Sequence, residues 1–139
     1  MPKDDPNFRA LEMDMQDRKK KREEDTKKAN AQKEKGNKAM AEGDYQKAIE
    51  HYTFALDYIK DNKTIYTNRA LAYIKLKKYS KAIKDCDKVL DYIECFEKFN
   101  EVPDLAYKAY SRKALAHKER KEYKEALAAI DAGLKLLPK

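Results

Sequence analysis

The chain has little of the material from which β-sheets are built. Among its 139 residues are three glycines, four prolines and no tryptophan. So few turn-forming residues argue against a fold made of many short strands, whereas the residues that dominate the chain (Ala, Leu, Lys and Glu) favour helices. Hydrophobic residues still make up 42% of the chain, which is enough for a packed core. We therefore predict an all-α protein.

The chain is equally poor in the residues that most enzymes and metal sites use. Cys86 and Cys95 match neither a disulfide framework nor a zinc pattern. His51 and His117 are the only histidines, and we predict a surface position for the first and a packing role for the second. No apolar run approaches the roughly 18 residues of a membrane helix, and the N-terminus has no apolar signal region. We therefore expect a cytoplasmic binding protein with no catalytic residue, metal, cofactor or membrane segment.

A spacing pattern occurs three times along the chain. It consists of a small residue, a tyrosine nine residues later, an alanine after three more and an apolar residue after four more. Such spacing predicts a pair of helices with the tyrosine at the turn between them and the alanine on the buried side of the second helix. Gly43–Asp44 and Ser80 are predicted to end turns and cap helices. The three sets are Gly36, Tyr45, Ala48, Tyr52; Ala70, Tyr79, Ala82, Cys86; and Ala114, Tyr123, Ala126, Ile130.

This repeat resembles the tetratricopeptide repeat (TPR) family over about residues 29–138. The resemblance implies a right-handed superhelical array of three helical hairpins. A charged N-terminal extension, residues 1–28, would precede a TPR domain at 29–139. We place its repeats at about 29–62, 63–106 and 107–139.

Two features depart from a regular array. The second repeat carries a ten-residue insertion near 91–103, and helical spacing of its apolar residues predicts a second helix reaching about Asn100. Pro103–Asp104 would then stop that helix and cap the next one. The insertion's aromatic residues either bury against the third repeat or form an added binding ledge.

The last helix has four apolar residues that no further helix covers: Leu127, Ile130, Leu134 and Leu137. The chain is therefore either a piece of a longer protein or meets another element there.

The N-terminal extension carries charges of both signs and few apolar residues. We predict either a solvated helix that runs into the first repeat or a disordered segment. Its basic run at 18–22 is typical of a solvated face or of a nuclear-import or nucleic-acid patch. The acidic residues 23–25 follow immediately and offset that charge.

Polar residues recur on the first helix of each hairpin, which would line the inner surface of the array. Ammonium and guanidinium groups form charge-assisted bonds to carboxylates, and asparagine amides donate with directional control. The pattern therefore predicts an anion-binding groove. Its members are Lys33 and Asn37, four residues apart, Asn68 on the equivalent helix of the second repeat, and Lys108 and Arg112, again four apart.

The same residues resemble the two-carboxylate clamp of TPR domains that bind the C-terminal tails of the chaperones Hsp70 and Hsp90. KEKGN (33–37), NRA (68–70) and KAYSR (108–112) fill all five of its places. Arginine after the second asparagine, here Arg69, occurs in many repeats for packing reasons.

The resemblance assigns a role to each member of the clamp. It implies that Lys33, Asn37 and Asn68 hold the terminal main-chain carboxylate. Lys108 would meet the last aspartate side chain of the tail, and Arg112 the peptide just upstream.

These features predict a co-chaperone adaptor that binds acidic EEVD tails of Hsp70, Hsp90 or both and ties them to an unidentified client. Lys75 would add a peripheral contact. A short tail loses conformational entropy when it becomes ordered on binding, so we expect a Kd of roughly 1–50 μM.

The charged lead-in followed by KEKGN and YTNRA is also similar to TPR proteins that assist assembly of axonemal dynein arms. The alternatives are an architectural scaffold that assembles through the long second-repeat helix and the uncapped end, and, with less support, a nucleic-acid-binding protein.

Overall fold

The computed structural model describes residues 5–96 and 102–136. Within these ranges the chain is helical and contains no strand, which confirms the all-α prediction. The helices are α1 (Pro6–Ala41), α2 (Tyr45–Tyr58), α3 (Lys63–Lys75), α4 (Tyr79–Phe96), α5 (Pro103–Glu119) and α6 (Tyr123–Leu134).

The helices pair into three hairpins that stack in chain order. Each helix packs against the next one along the chain, and α3 also contacts α1 and α5. The first helices of the hairpins therefore stand side by side and form one wall, as the predicted array requires. The core between the hairpins includes Tyr52, Ile65, Val89 and Ile93, each no more than 1% exposed.

Short polar residues cap α2, as the sequence predicts, and α3, for which no cap was predicted. Asp44 precedes α2, and its carboxylate accepts a hydrogen bond from the Lys47 backbone N–H at 3.2 Å. Asn62 caps α3 in the same way, through the Ile65 N–H at 3.2 Å. Gly43 has φ +79° in the first turn, a conformation that residues with a side chain rarely adopt. The turn between α1 and α2 is thus stabilised by residues within the turn itself.

Two predicted caps are wrong. Ser80 is the second residue of α4, and its hydroxyl accepts a hydrogen bond from Arg120 Nη1 at 3.2 Å instead of capping a helix. Asp104 lies in the first turn of α5, where Val102 is the N-cap without a side-chain hydrogen bond. Pro103 is the first residue of α5, which suits its fixed φ and missing N–H.

The small residue and the tyrosine of each repeat take the positions predicted for them. A Cβ on Gly36 would lie 2.6 Å from Tyr52 Cε1, so glycine is needed for α1 and α2 to approach this closely. Tyr45, Tyr79 and Tyr123 are the first residues of α2, α4 and α6. Tyr123 is 59% exposed because no further hairpin packs against it among the described residues.

The N-terminal extension is helical from Pro6 and continues without a break into the first repeat. Its side chains lie mostly in solvent, including the basic run at 18–22. Arg18 forms an exposed ion pair with Asp14 at 3.1 Å, one helical turn away. α1 becomes buried from Ala29 onward, where α2 covers it.

The insertion begins as an extension of α4. Val89 and Ile93 are buried, whereas Tyr92 is half-buried, with the Lys63 ammonium 4.3 Å from the centroid of its ring. The predicted continuation to Asn100 falls outside the described residues. Within the described part, the apolar residues of the extension therefore contribute to the core.

The last hairpin exposes an apolar face. Leu127, Ile130 and Leu134 are 60%, 43% and 52% exposed, as expected for a helix without a cap. Together with tyrosines of α5 they line an open groove of about 550 Å³. Leu137 lies outside the described residues. None of the described helices is long and apolar enough to cross a membrane.

Candidate functional site

The predicted groove residues lie on the three helices that form one wall of the array. Lys33 and Asn37 are one turn apart on α1, and Asn68 lies on α3. Lys108 and Arg112 are one turn apart on α5. Lys33, Asn68 and Arg112 are half-buried, whereas Asn37 and Lys108 are exposed. The five side chains thus span all three hairpins.

A hydrogen-bonded cluster joins the first two hairpins. The Tyr52 hydroxyl on α2 donates to Asn37 Oδ1 at 2.5 Å. Asn68 Nδ2 approaches the same oxygen at 3.4 Å from α3. Two donors therefore converge on one acceptor, which leaves the Asn37 NH₂ group to serve as a donor toward the groove.

Arg112 is the member of the set that has a buried donor without a partner among the described residues. That donor is the Nη1 atom of its guanidinium. Burial lowers the pKa of the Arg112 guanidinium, and its neighbours Cys86 and Tyr52 oppose that shift. A guanidinium stays charged in proteins, so a cation with an unused donor lies next to the Tyr52 hydroxyl.

The neighbours of Arg112 do not neutralise it. Burial raises the pKa of the Tyr52 hydroxyl to about 12, although Arg112 acts in the opposite direction. Burial and the nearby Asp85 raise the pKa of the Cys86 thiol to about 12. Both groups are therefore protonated near neutral pH, and the positive charge of Arg112 remains available to a ligand.

The three lysines of the prediction stand apart from this cluster. Lys33 and Lys108 lie one turn before Asn37 and Arg112 on the same helices. Lys75 is exposed, seven residues after Asn68 at the end of α3. None of the three ammonium groups forms a hydrogen bond or ion pair with a described residue.

Arg69 has a structural role, as the sequence indicated. Its guanidinium binds both oxygens of Asp85 at 2.8 Å, and Nη1 donates to the Thr53 hydroxyl at 3.3 Å. The side chain thereby ties α3 to α4 and α2. Its donors are used within the fold, in contrast to those of Arg112.

The histidines lie outside this cluster. His51 is half-buried, with Nδ1 2.8 Å from Gln32 Oε1, so it is less exposed than predicted. His117 is also half-buried, with Nδ1 3.0 Å from Glu122 Oε1. These contacts fit the packing role predicted for His117. The described residues contain no group of three or more metal-ligating side chains.

Tyr52 is the member of the polar cluster that the sequence analysis missed. Its repeat position identified it as core, and it is 1% exposed. Its hydroxyl nevertheless reaches the polar cluster. A phenylalanine would pack equally well at a purely apolar position, so the tyrosine itself was the available signal.

The arrangement is suited to an anion. An asparagine amide, a guanidinium with an unused donor and flanking ammonium groups all present donors or positive charge. None of the five predicted residues is acidic. A carboxylate offers acceptor oxygens that match such a set.

Known proteins share both the repeat and the fold. Residues 64–92 match the tetratricopeptide repeat family. The human tetratricopeptide repeat protein 12 is 44% identical over 108 residues, which cover 73% of this chain and 15% of that protein. The chain thus spans only a small part of that relative.

Two solved structures are similar over most of their length. The first TPR of Spaghetti (RPAP3), bound to the HSP90 peptide SRMEEVD, has a TM-score of 0.69 at 34% identity and covers 82% of each chain. The second TPR domain of human RPAP3, in complex with the HSP70 peptide SGPTIEEVD, has a TM-score of 0.69 at 30% identity. This second match covers 82% of this chain and 87% of that one. With the three stacked hairpins and the repeated spacing, these matches establish that the chain belongs to the tetratricopeptide repeat family.

Proposed function

We propose that the groove binds the acidic C-terminal tail of Hsp70, Hsp90 or both, as a co-chaperone adaptor does. The observation that carries this proposal is the half-buried guanidinium of Arg112 beside the Tyr52–Asn37–Asn68 cluster: no described carboxylate neutralises its charge, and its Nη1 has no hydrogen-bond partner among the described residues. A buried donor without an acceptor costs free energy in the folded protein. The guanidinium as a whole is only half-buried, so a carboxylate or carbonyl oxygen of a bound peptide would be attracted by its charge and accept from its accessible edge.

The clamp divides the peptide between two ends of the groove. Lys33, Asn37 and Asn68 would hold the terminal carboxylate, because the Asn37 and Asn68 amides meet at 3.4 Å and Lys33 lies one turn before Asn37 on α1. Lys108 would bind the side chain of the last aspartate, and Arg112 the peptide just upstream. Lys75 would lie at the margin.

The solved relatives support this choice of ligand. One of these TPR domains is bound to an HSP90 peptide and the other to an HSP70 peptide, and both peptides end in EEVD. An acidic tail also suits the net charge of +7 on this chain. Electrostatic attraction would speed association, and added salt would weaken binding.

The direct test is a calorimetric titration with SRMEEVD and SGPTIEEVD, each beside its C-terminally amidated form. We expect Kd values of roughly 1–50 μM for the free acids. Amidation removes one negative charge and should weaken binding at least tenfold. Equal affinity for acid and amide, or no binding of either acid, would contradict the proposal.

Variants connect that binding to named residues. Lys33→Ala and Arg112→Ala should each remove most of the affinity and leave the helical circular-dichroism signal unchanged. Lys35→Ala is the matched control, because Lys35 lies two residues from Lys33 on another face of α1. A loss of helicity in either groove variant would instead assign that residue a structural role.

The client and the cellular setting are further parts of the proposal. Resemblance to dynein-arm assembly proteins, seen in the lead-in, KEKGN and YTNRA, suggests a client in cytoplasmic assembly of axonemal dynein. We expect no enzymatic activity and no membrane or nucleic-acid partner. Immunoprecipitation with the intact groove and with Arg112→Ala would identify clients whose recovery depends on the chaperone.

An architectural scaffold is the second candidate, and the exposed face of α6 favours it. Leu127, Ile130 and Leu134 would then bind another protein element while the groove stayed empty. Sedimentation velocity of the wild type and of Leu127→Lys would test this role. A concentration-dependent assembly abolished by Leu127→Lys, with no peptide binding, would favour the scaffold.

A further inference from the structure

Tyr52 lies directly behind the polar wall of the groove. Its side chain is 1% exposed on α2, and its hydroxyl donates to Asn37 Oδ1 at 2.5 Å. The hydroxyl has one proton, so this bond uses its whole donor capacity. Asn37 itself is exposed on α1, where a ligand can reach it.

The packing around the ring holds that hydroxyl in place. The ring lies against the backbone of α1 at Gly36, where a Cβ would come within 2.6 Å of Cε1 and 2.8 Å of Cδ1. Gly36 immediately precedes Asn37. The hydroxyl and the amide that it binds are therefore positioned by the same close helix contact.

The proton of the hydroxyl lies between the Tyr52 oxygen and Asn37, because Asn37 Oδ1 is the acceptor at 2.5 Å. Burial raises the pKa of Tyr52 to about 12, which keeps the proton in place near neutral pH.

An asparagine amide can turn either end toward a ligand, and the two ends have opposite effects on an anion. With Oδ1 outward it would repel a carboxylate, and with Nδ2 outward it donates to one. Tyr52 and Asn68 both occupy Oδ1 as donors. The outward end of Asn37 is therefore Nδ2.

We propose that Tyr52 is a positioning residue of the groove: its hydroxyl holds the Asn37 amide with the NH₂ group outward, which makes this end of the groove selective for a terminal carboxylate. This inference rests on the proposed function for its ligand. It adds a residue that does not touch the peptide and acts through Asn37.

The test compares Tyr52→Phe with Tyr66→Phe as a matched control. Both changes remove one buried hydroxyl and keep the ring, but the Tyr66 hydroxyl donates to the Lys60 carbonyl at 2.8 Å, away from the polar cluster. Tyr52→Phe should weaken SRMEEVD binding about 3- to 10-fold, the range for one hydrogen bond. The amidated peptide should lose less, so the acid-to-amide preference shrinks. Equal loss for acid and amide would overturn the inference.

A double-mutant cycle shows whether Tyr52 acts through Asn37. Asn37→Ala and the double variant Tyr52→Phe/Asn37→Ala should bind SRMEEVD equally, since the hydroxyl then has no amide to orient. Additive losses would mean that Tyr52 affects binding by another route.

An NMR measurement on the free protein separates this inference from the proposed function. The Asn37 side-chain NH₂ resonances should shift in Tyr52→Phe and stay unchanged in Tyr66→Phe, whether or not any peptide binds. In the wild type, a slowly exchanging Tyr52 hydroxyl proton with a nuclear Overhauser effect to Asn37 should be visible even if the variant fails to fold. An unperturbed Asn37 amide in a folded Tyr52→Phe, or no such proton in the wild type, would refute the inference. Failure of every peptide to bind would refute the proposed function alone.

Discussion

At the scale of the residue, Arg69 and Arg112 show how position decides the use of a side chain. Arg69 donates hydrogen bonds to Asp85 and Thr53 within the fold. Arg112 retains a buried Nη1 without a described partner. A buried cation lacking an acceptor destabilises the folded state. The fold therefore carries a cost at Arg112, while the charge of its half-buried guanidinium still attracts an anionic ligand.

Replacing Arg112 should consequently separate stability from binding. Methionine keeps the length of the side chain without its charge, so we expect Arg112→Met to raise the thermal midpoint by about 2–5 °C. The same variant should bind SRMEEVD at least tenfold more weakly. Differential scanning calorimetry and calorimetric titration measure the two effects. A lower midpoint would show that Arg112 stabilises the fold and that its Nη1 is satisfied in solution.

At the scale of the element, polar contacts hold α4 to both of its neighbours. Asp85 binds Arg69 of α3 through two bonds, and the side chains are 8% and 16% exposed. Asp87, two residues on, pairs with Lys113 of α5 at 2.6 Å, with 44% and 28% exposure. Removing one partner of a buried ion pair lowers the free energy of unfolding far more than removing one partner of an exposed pair. The remaining charge of a buried pair has no solvent to replace its lost partner.

This difference predicts unequal effects from two similar substitutions. Asp85→Asn should lower the free energy of unfolding by about 3 kcal/mol, since it leaves the Arg69 charge half-buried and unpaired. Asp87→Asn is the control and should cost less than about 1 kcal/mol. Urea unfolding followed by circular dichroism gives both values. Equal costs would mean that the Arg69–Asp85 pair is no more desolvated than a surface pair. In folded Asp85→Asn we expect peptide affinity within about twofold of the wild type, because Arg69 is not a groove donor.

At the scale of the whole molecule, two buried acids make stability depend on alkaline pH. The pKa of Cys86 is raised from 9.0 to about 12 and that of Tyr52 from 10.0 to about 12, in both cases chiefly by burial. Between these values the unfolded chain has lost protons that the folded chain keeps. The folded state binds more protons there, so stability falls as pH rises.

We therefore expect the free energy of unfolding to be independent of these two groups below about pH 9 and to decline between about pH 9 and 12. Each group contributes a slope of up to about 1.4 kcal/mol per pH unit within its own window. Urea unfolding at pH 8, 9, 10 and 11 measures the decline. The double variant Tyr52→Phe/Cys86→Ala should have a shallower slope, and an identical slope would assign the alkaline loss to other groups.

The fold could be predicted to a large extent because its determinants are local. The pattern consists of a tyrosine at each turn and an alanine three residues later, and it recurs after 34 and then 44 residues. Within each repeat it depends only on neighbouring positions along a helix. Helix starts were less predictable. Ser80 and Asp104 have the residue types of caps, yet the helices begin one or more residues earlier, because the N-cap depends on backbone conformation.

By itself, the sequence determined that the chain is an array of three helical hairpins and which polar residues its first helices carry, since spacing along a helix decides both. The tertiary structure decided which hydrogen-bond partners those residues have and how far they are buried. Tyr52 and Asn37 are 15 residues apart on different helices, and their bond exists because Gly36 lets the two helices approach. The burial of Arg112 and the exposure of Leu127 likewise depend on which surfaces the neighbouring hairpins cover, and periodicity within one helix does not contain that information.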